Sequence, residues 1–136
     1  MGFFRTSFTW CAFVAGAALA GAALAPLTAQ QAAPYKDESK IPDTPACKRA
    51  LEVIDIVNKG DEALASAYIL ENFTPDFRNA APMEEHLRIF AGLHEESDGF
   101  EVHSARIYDP PRPATSATIV VRNRLSEAWE AFVVYV

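Results

Sequence analysis

Only two cysteines, Cys11 and Cys47, occur in the 136 residues. Cys11 lies in an apolar N-terminal run, so a processed chain would keep Cys47 alone. An intramolecular disulfide framework is thereby excluded, and a lone thiol reads as a small buried side chain or one that pairs between chains. Basic residues are also scarce: 12 Lys and Arg stand against 18 Asp and Glu, for a formal net charge of −6. A chain of that sign carries no electrostatic footprint for nucleic acid or anionic lipid. There is no Gly-x-Ser-x-Gly elbow and no Ser-x-x-Lys, so the usual settings of an activated serine are missing. His94-Glu95-Glu96-Ser97-Asp98 begins like a zincin motif, but Asp98 stands where the second histidine belongs. His86 and His94 are two helical turns apart and His103 falls on a strand, so no shared metal is expected. No cofactor is expected either.

The one long uncharged run includes Phe8 to Leu27, mostly Ala, Gly and Leu, preceded by Arg5 and leading through Pro26-Leu27 into Thr28-Ala29. A positive start, an apolar centre and small residues form the layout of a secretory signal peptide, with cleavage expected after Ala29. The rival is an uncleaved anchor, since about 20 uncharged residues span a bilayer. Phe8-Thr9-Trp10-Cys11 lacks the small residues of a lipoprotein signal. The expected division is residues 1–29 as signal, 30–40 as a polar, aperiodic, flexible lead, and 41–136 as one domain. The expected location is the periplasm or the outside of a bacterial cell.

Ile41 to Phe77 organises the domain. Thr44 is a natural N-cap with Pro45 in the first helical position. Ala46, Ala50, Leu51, Ile54 and Val57 then recur at the spacing of one helix face. Gly60 stops that helix and Asp61 caps the next, with Leu64, Ala67 and Tyr68 expected inward and Ile69 and Leu70 extending the stripe. Thr74-Pro75 repeats the cap-plus-proline device before a short turn. Pro82 opens a third helix, from Met83 to about Glu96, which Ser97-Asp98-Gly99 ends.

From Phe100 the period changes from 3.6 to 2, predicting strands at 100–108, 116–124 and 128–136. The prolines at 110, 111 and 113 separate the first two. The predicted fold is therefore α+β: three N-terminal helices on one face of a three-stranded antiparallel meander. On the last strand Trp129, Ala131, Val133 and Tyr135 share one side; Phe132, Val134 and Val136 share the other with Glu130. Trp129 and Tyr135 read either as core against the helices or as a binding surface. Ala128 to Val136 is a long apolar edge that proteins usually cover. A further strand, a second copy or a partner domain is expected there.

Several short segments carry a resemblance: Ile41-Pro-Asp-Thr-Pro-Ala46, Asn58-Lys-Gly-Asp61, Glu71-Asn-Phe-Thr-Pro-Asp76, Pro82-Met-Glu-Glu85 and Gly99-Phe-Glu-Val102. Together they resemble an exported bacterial N-terminal module found ahead of tail-specific-protease-like serine peptidases and β-lactamase-class serine hydrolases. The resemblance implies an NTF2-like (cystatin-like) cone. Cys47 stands where that module usually has glycine, and Ser126-Glu127-Ala128 replaces a glycine-containing turn. None of the hydrolase motifs is present, so the resemblance transfers no active-site residue. It implies a non-catalytic accessory domain that meets a partner or a small apolar ligand in the helix–sheet cleft. The alternatives are the N-terminal part of an exported peptidase or β-lactamase-like hydrolase, and a small NTF2-like enzyme. Asp55, Tyr68 and Tyr108 are the candidate pocket residues, since such cones hold carboxylate–aromatic pairs; Trp129 is the candidate on the strand face.

Overall fold

The helix boundaries are set by local caps. In a computed structural model that describes residues 4–5 and 33–136, Thr44 accepts a hydrogen bond from Cys47 N and starts helix α1, Pro45–Lys59. Gly60, at φ 59°, ends it in the left-handed conformation that a side chain would disfavour. Asp61 accepts from Leu64 N and begins α2, Glu62–Asn72. Thr74 accepts from Phe77 N above a five-residue helix α3, Pro75–Asn79, where only a turn was expected. Pro82 precedes α4, Met83–Ser97, without a side-chain cap; Asp98, at φ 50°, closes it.

The sheet holds β1 (Phe4–Arg5), β2 (Tyr35–Glu38), β3 (Phe100–Tyr108), β4 (Ser116–Asn123) and β5 (Trp129–Tyr135), antiparallel throughout, in the order β1-β5-β4-β3-β2. The expected meander is β3-β4-β5. Two corrections follow. Four strands of ordinary length are present rather than three, and β1 adds a two-residue pairing. The added strand β2 lies inside the segment read as a flexible lead, so order begins before Ile41. It was hidden because what holds it is cross-strand. Arg106 Nε and Nη2 donate to Asp37 Oδ1 at 2.8 Å and Oδ2 at 3.0 Å. The Arg106 guanidinium also lies 3.9 Å over the Tyr35 ring.

That ion pair makes β2 sensitive to acid. The hydrogen bond from Arg106 holds the Asp37 carboxyl below its usual value, against a smaller opposing effect of partial burial. A carboxyl depressed in the folded state stabilises fully above its unfolded value and loses that contribution as pH falls through the folded one. Amide protection across β2 is therefore expected to decline below about pH 4, while β4 keeps its own. Asp37→Asn should abolish that pH dependence; hydrogen exchange read residue by residue checks it, and an unchanged acid profile in the variant would contradict it.

The core sits between the sheet and α1, with α2 and α4 packed on α1. Ala46, Ala50, Val53, Ile54 and Val57 face Ala117, Ile119, Val121, Phe132 and Val134 of β4 and β5. This settles the face of β5: Phe132 and Val134 are buried against the helices, and Trp129 and Tyr135 are exposed on the opposite side. The reading of Trp129 as core is thus corrected. On α2 the inward residues are Ala65 and Ile69; Tyr68 is half-buried, while Leu64, Ala67 and Leu70 are exposed. Apolar residues surround that helix, so periodicity alone misplaced its buried face.

The β4–β5 turn works without glycine. Asn123 Oδ1 accepts from Leu125 N at 3.0 Å and Ser126 N at 2.9 Å, and its Nδ2 donates to Glu130 Oε1. Glu127 takes the positive φ of 58° that glycine would ordinarily fill. Among the described residues no helix is long and apolar enough to cross a membrane.

Candidate functional site

Two places gather side chains not spent on the core. The first is a cavity of about 250 Å³ at one end of the sheet. The start of α1 supplies one wall through Thr44 and Cys47. Ala105 and Ala117, both buried, contribute from β3 and β4, and the proline-rich β3–β4 connection closes over them with Arg112 and Pro113. Cys47 is buried at this wall rather than presented on the surface.

Tyr108 lies at its rim, and Arg112 stacks on it, with the guanidinium carbon 3.7 Å from the ring centroid. Across β2, the Tyr35 and Tyr108 rings are 6.1 Å apart, and Arg106 lies on Tyr35. The two tyrosines thus lie side by side over the end of the sheet, with an arginine stacked on each. Stacking of this kind orients a guanidinium without neutralising it. Arg106 is committed to Asp37. Among the described residues, no carboxylate pairs with Arg112.

The second place is the sheet surface away from the helices, at β5. A register shift between Val102 and Ser104 leaves His103 as an extra residue of β3. The His103 ring meets Trp129 edge to face at 4.8 Å, and Trp129 keeps 59% of its surface exposed.

The four residues singled out from the sequence do not converge. Asp55 is exposed on α1 and pairs with Lys59 at 2.7 Å, one turn along the same helix. Tyr68 donates to Glu52 Oε2 at 3.0 Å, and Arg49 donates to the same oxygen at 2.8 Å. Burial, with the Glu52 carboxylate second, pushes the Tyr68 hydroxyl up to about 12. It is therefore a neutral donor at physiological pH, engaged with Glu52. Tyr108 lines the cavity; Trp129 belongs to the sheet surface. An enzyme built on Asp55 with Tyr68 or Tyr108 in one pocket does not match this arrangement. Among the described residues, no group of three His, Cys, Asp or Glu is placed to hold a metal ion.

Arg112 was missed because its placement depends on a stack with Tyr108 and on a cavity whose other wall, Thr44, is far away in sequence. The Arg-Pro pair in a proline cluster is the only local hint, and it specifies a rigid loop rather than a site. No family model, curated protein or solved structure matches the chain.

Proposed function

We propose that the chain is an exported, non-catalytic accessory domain of NTF2-like type that acts by association, a second copy pairing along the outer edge of β5. The observation that carries this is the direction of the β5 backbone. Val136 N donates to Thr115 O, and Ala128 O accepts from Asn123 N, so the even-numbered residues bond inward to β4. Alternation then turns the N–H and C=O groups of Trp129, Ala131, Val133 and Tyr135 outward. Among the described residues, β1 meets only Phe132 and Val133 of that edge. Cleavage after Ala29 would remove β1 and open the whole row.

Composition supports pairing of like with like. Glu130 is the only charged residue of β5, and it is tied to Asn123. Exposed Trp129 and Tyr135 flank the edge with the aromatic area that interfaces favour. Edges of this kind add strands readily unless they are blocked.

The test uses residues 30–136 and light scattering after size exclusion. A dimer is expected at micromolar concentration. Ala131→Pro removes one outward N–H and leaves the β4 ladder intact, so it should yield a folded monomer. A monomeric parent, or a dimer indifferent to Ala131→Pro, would overturn the proposal.

A further inference from the structure

From the cavity at the start of α1 we infer a binding site for a small monocarboxylate: an acid group on Arg112 and an apolar body between α1 and the sheet. This goes beyond the association reading and stands independently of it, because the cavity lies at the β3–β4 end of the sheet and not on the β5 edge.

Four observations carry the inference. The volume, about 250 Å³, is just below the roughly 300–1,000 Å³ of sites for drug-sized ligands, so the occupant is small. The walls are apolar where they are deepest: Cys47, Ala105 and Ala117 are all buried and offer no charged group. The rim carries a cation. Arg112 is stacked on Tyr108, 3.7 Å from the ring centroid, and is bound to no carboxylate among the described residues. Finally, the surrounding charge is spent elsewhere. Arg106 forks onto Asp37 within the sheet, so Arg112 is the arginine left available at this mouth.

The chemistry selects the ligand. A guanidinium held flat offers paired N–H donors that match a carboxylate. The lining holds no carboxylate for a dication, and with Arg106 spent on Asp37 it offers a diacid one free guanidinium; Thr44, Ser116 and Thr118 add hydroxyls beside the apolar walls. A neutral apolar molecule would fill the space and leave Arg112 unused. In a chain of net charge −6, an arginine with no carboxylate partner among the described residues, at a cavity mouth, is also the local attraction that lets an anion approach.

Hexanoate is a suitable probe, with 1-hexanol as its uncharged counterpart of the same length. Calorimetric titration of the full chain should detect hexanoate and give at least tenfold weaker binding of hexanol, since a charge-assisted bond contributes about 1.5–3 kcal/mol. Ala105 and Ala117 methyl resonances should move on hexanoate addition. Arg112→Met, an exposed loop change that leaves the walls in place, should lose hexanoate binding to the level of hexanol; Arg112→Lys should restore part of it. Equal affinity for acid and alcohol, binding insensitive to Arg112→Met, or no binding at millimolar hexanoate would each overturn the inference. None of these outcomes depends on the oligomeric state, so failure here and failure of the β5 interface are distinguishable.

Discussion

Replacing Phe100 with alanine is expected to destabilise the domain by about 3–5 kcal/mol, the range for deleting an enclosed aromatic ring. Phe100 keeps only 1% of its surface and meets Phe132 edge to face at 4.9 Å. It is the first residue of β3, where the chain leaves α4 and joins the sheet, so its ring binds both layers at once. It belongs to the core shared by the helices and the sheet, and elements already packed on each other do not close over the gap. At roughly 4–8 °C per kcal/mol for a domain near this size, the melting temperature should fall by about 12–40 °C. Urea unfolding should show a lower midpoint at unchanged slope. A loss below about 1 kcal/mol would mean that the ring is not enclosed.

The second large effect is expected at Asn58, in the last turn of α1. Its Nδ2 donates to Phe100 O at 2.9 Å, and its Oδ1 accepts from Phe100 N at 2.6 Å. The amide therefore stands in for a neighbouring strand at the one place where β3 begins against a helix. Asn58→Leu leaves a backbone donor and acceptor without partners beside a buried ring, at about 1–3 kcal/mol for each group so stranded. A total of about 2–6 kcal/mol is expected from denaturant unfolding. Asn58→Asp keeps the acceptor and loses the donor, so it should fall between the parent and the leucine variant. Because both changes act on one junction, the double variant with Phe100→Ala should depart from additivity by more than about 0.5 kcal/mol. Strict additivity would show that the hydrogen bonds and the ring do not act on one junction.

These junction residues show which parts of the fold were legible in the sequence. Thr44-Pro45, Gly60 and Asp61 act on neighbours three or four residues away, and each set a helix end where expected. The antiparallel order of β3, β4 and β5 followed from alternation and turns. Strand β2 was not legible, because its residues are polar and exposed and its main tie, Asp37 to Arg106, spans 69 positions. The face of β5 was ambiguous for a different reason: both sides are apolar, and only the packing of α1 decides that Phe132 goes in and Trp129 stays out. Asp55 illustrates a third limit. Its helical position could be read, but not that it stays exposed and pairs with Lys59. Of the four candidate residues, Tyr108 alone reached a cavity, and its partner Arg112 came from a loop whose contacts no local pattern encodes.

Odd-numbered amides of β5 point away from β4, and even-numbered amides point into it. This parity gives the account its most direct test: amide hydrogen exchange on residues 30–136 as a function of protein concentration. Ala131, Val133 and Tyr135 should gain protection as concentration rises, while Phe132 and Val134 remain protected throughout. If the odd-numbered amides exchange at one fast rate over the whole concentration range, the outer edge of β5 is not where this chain meets a second copy.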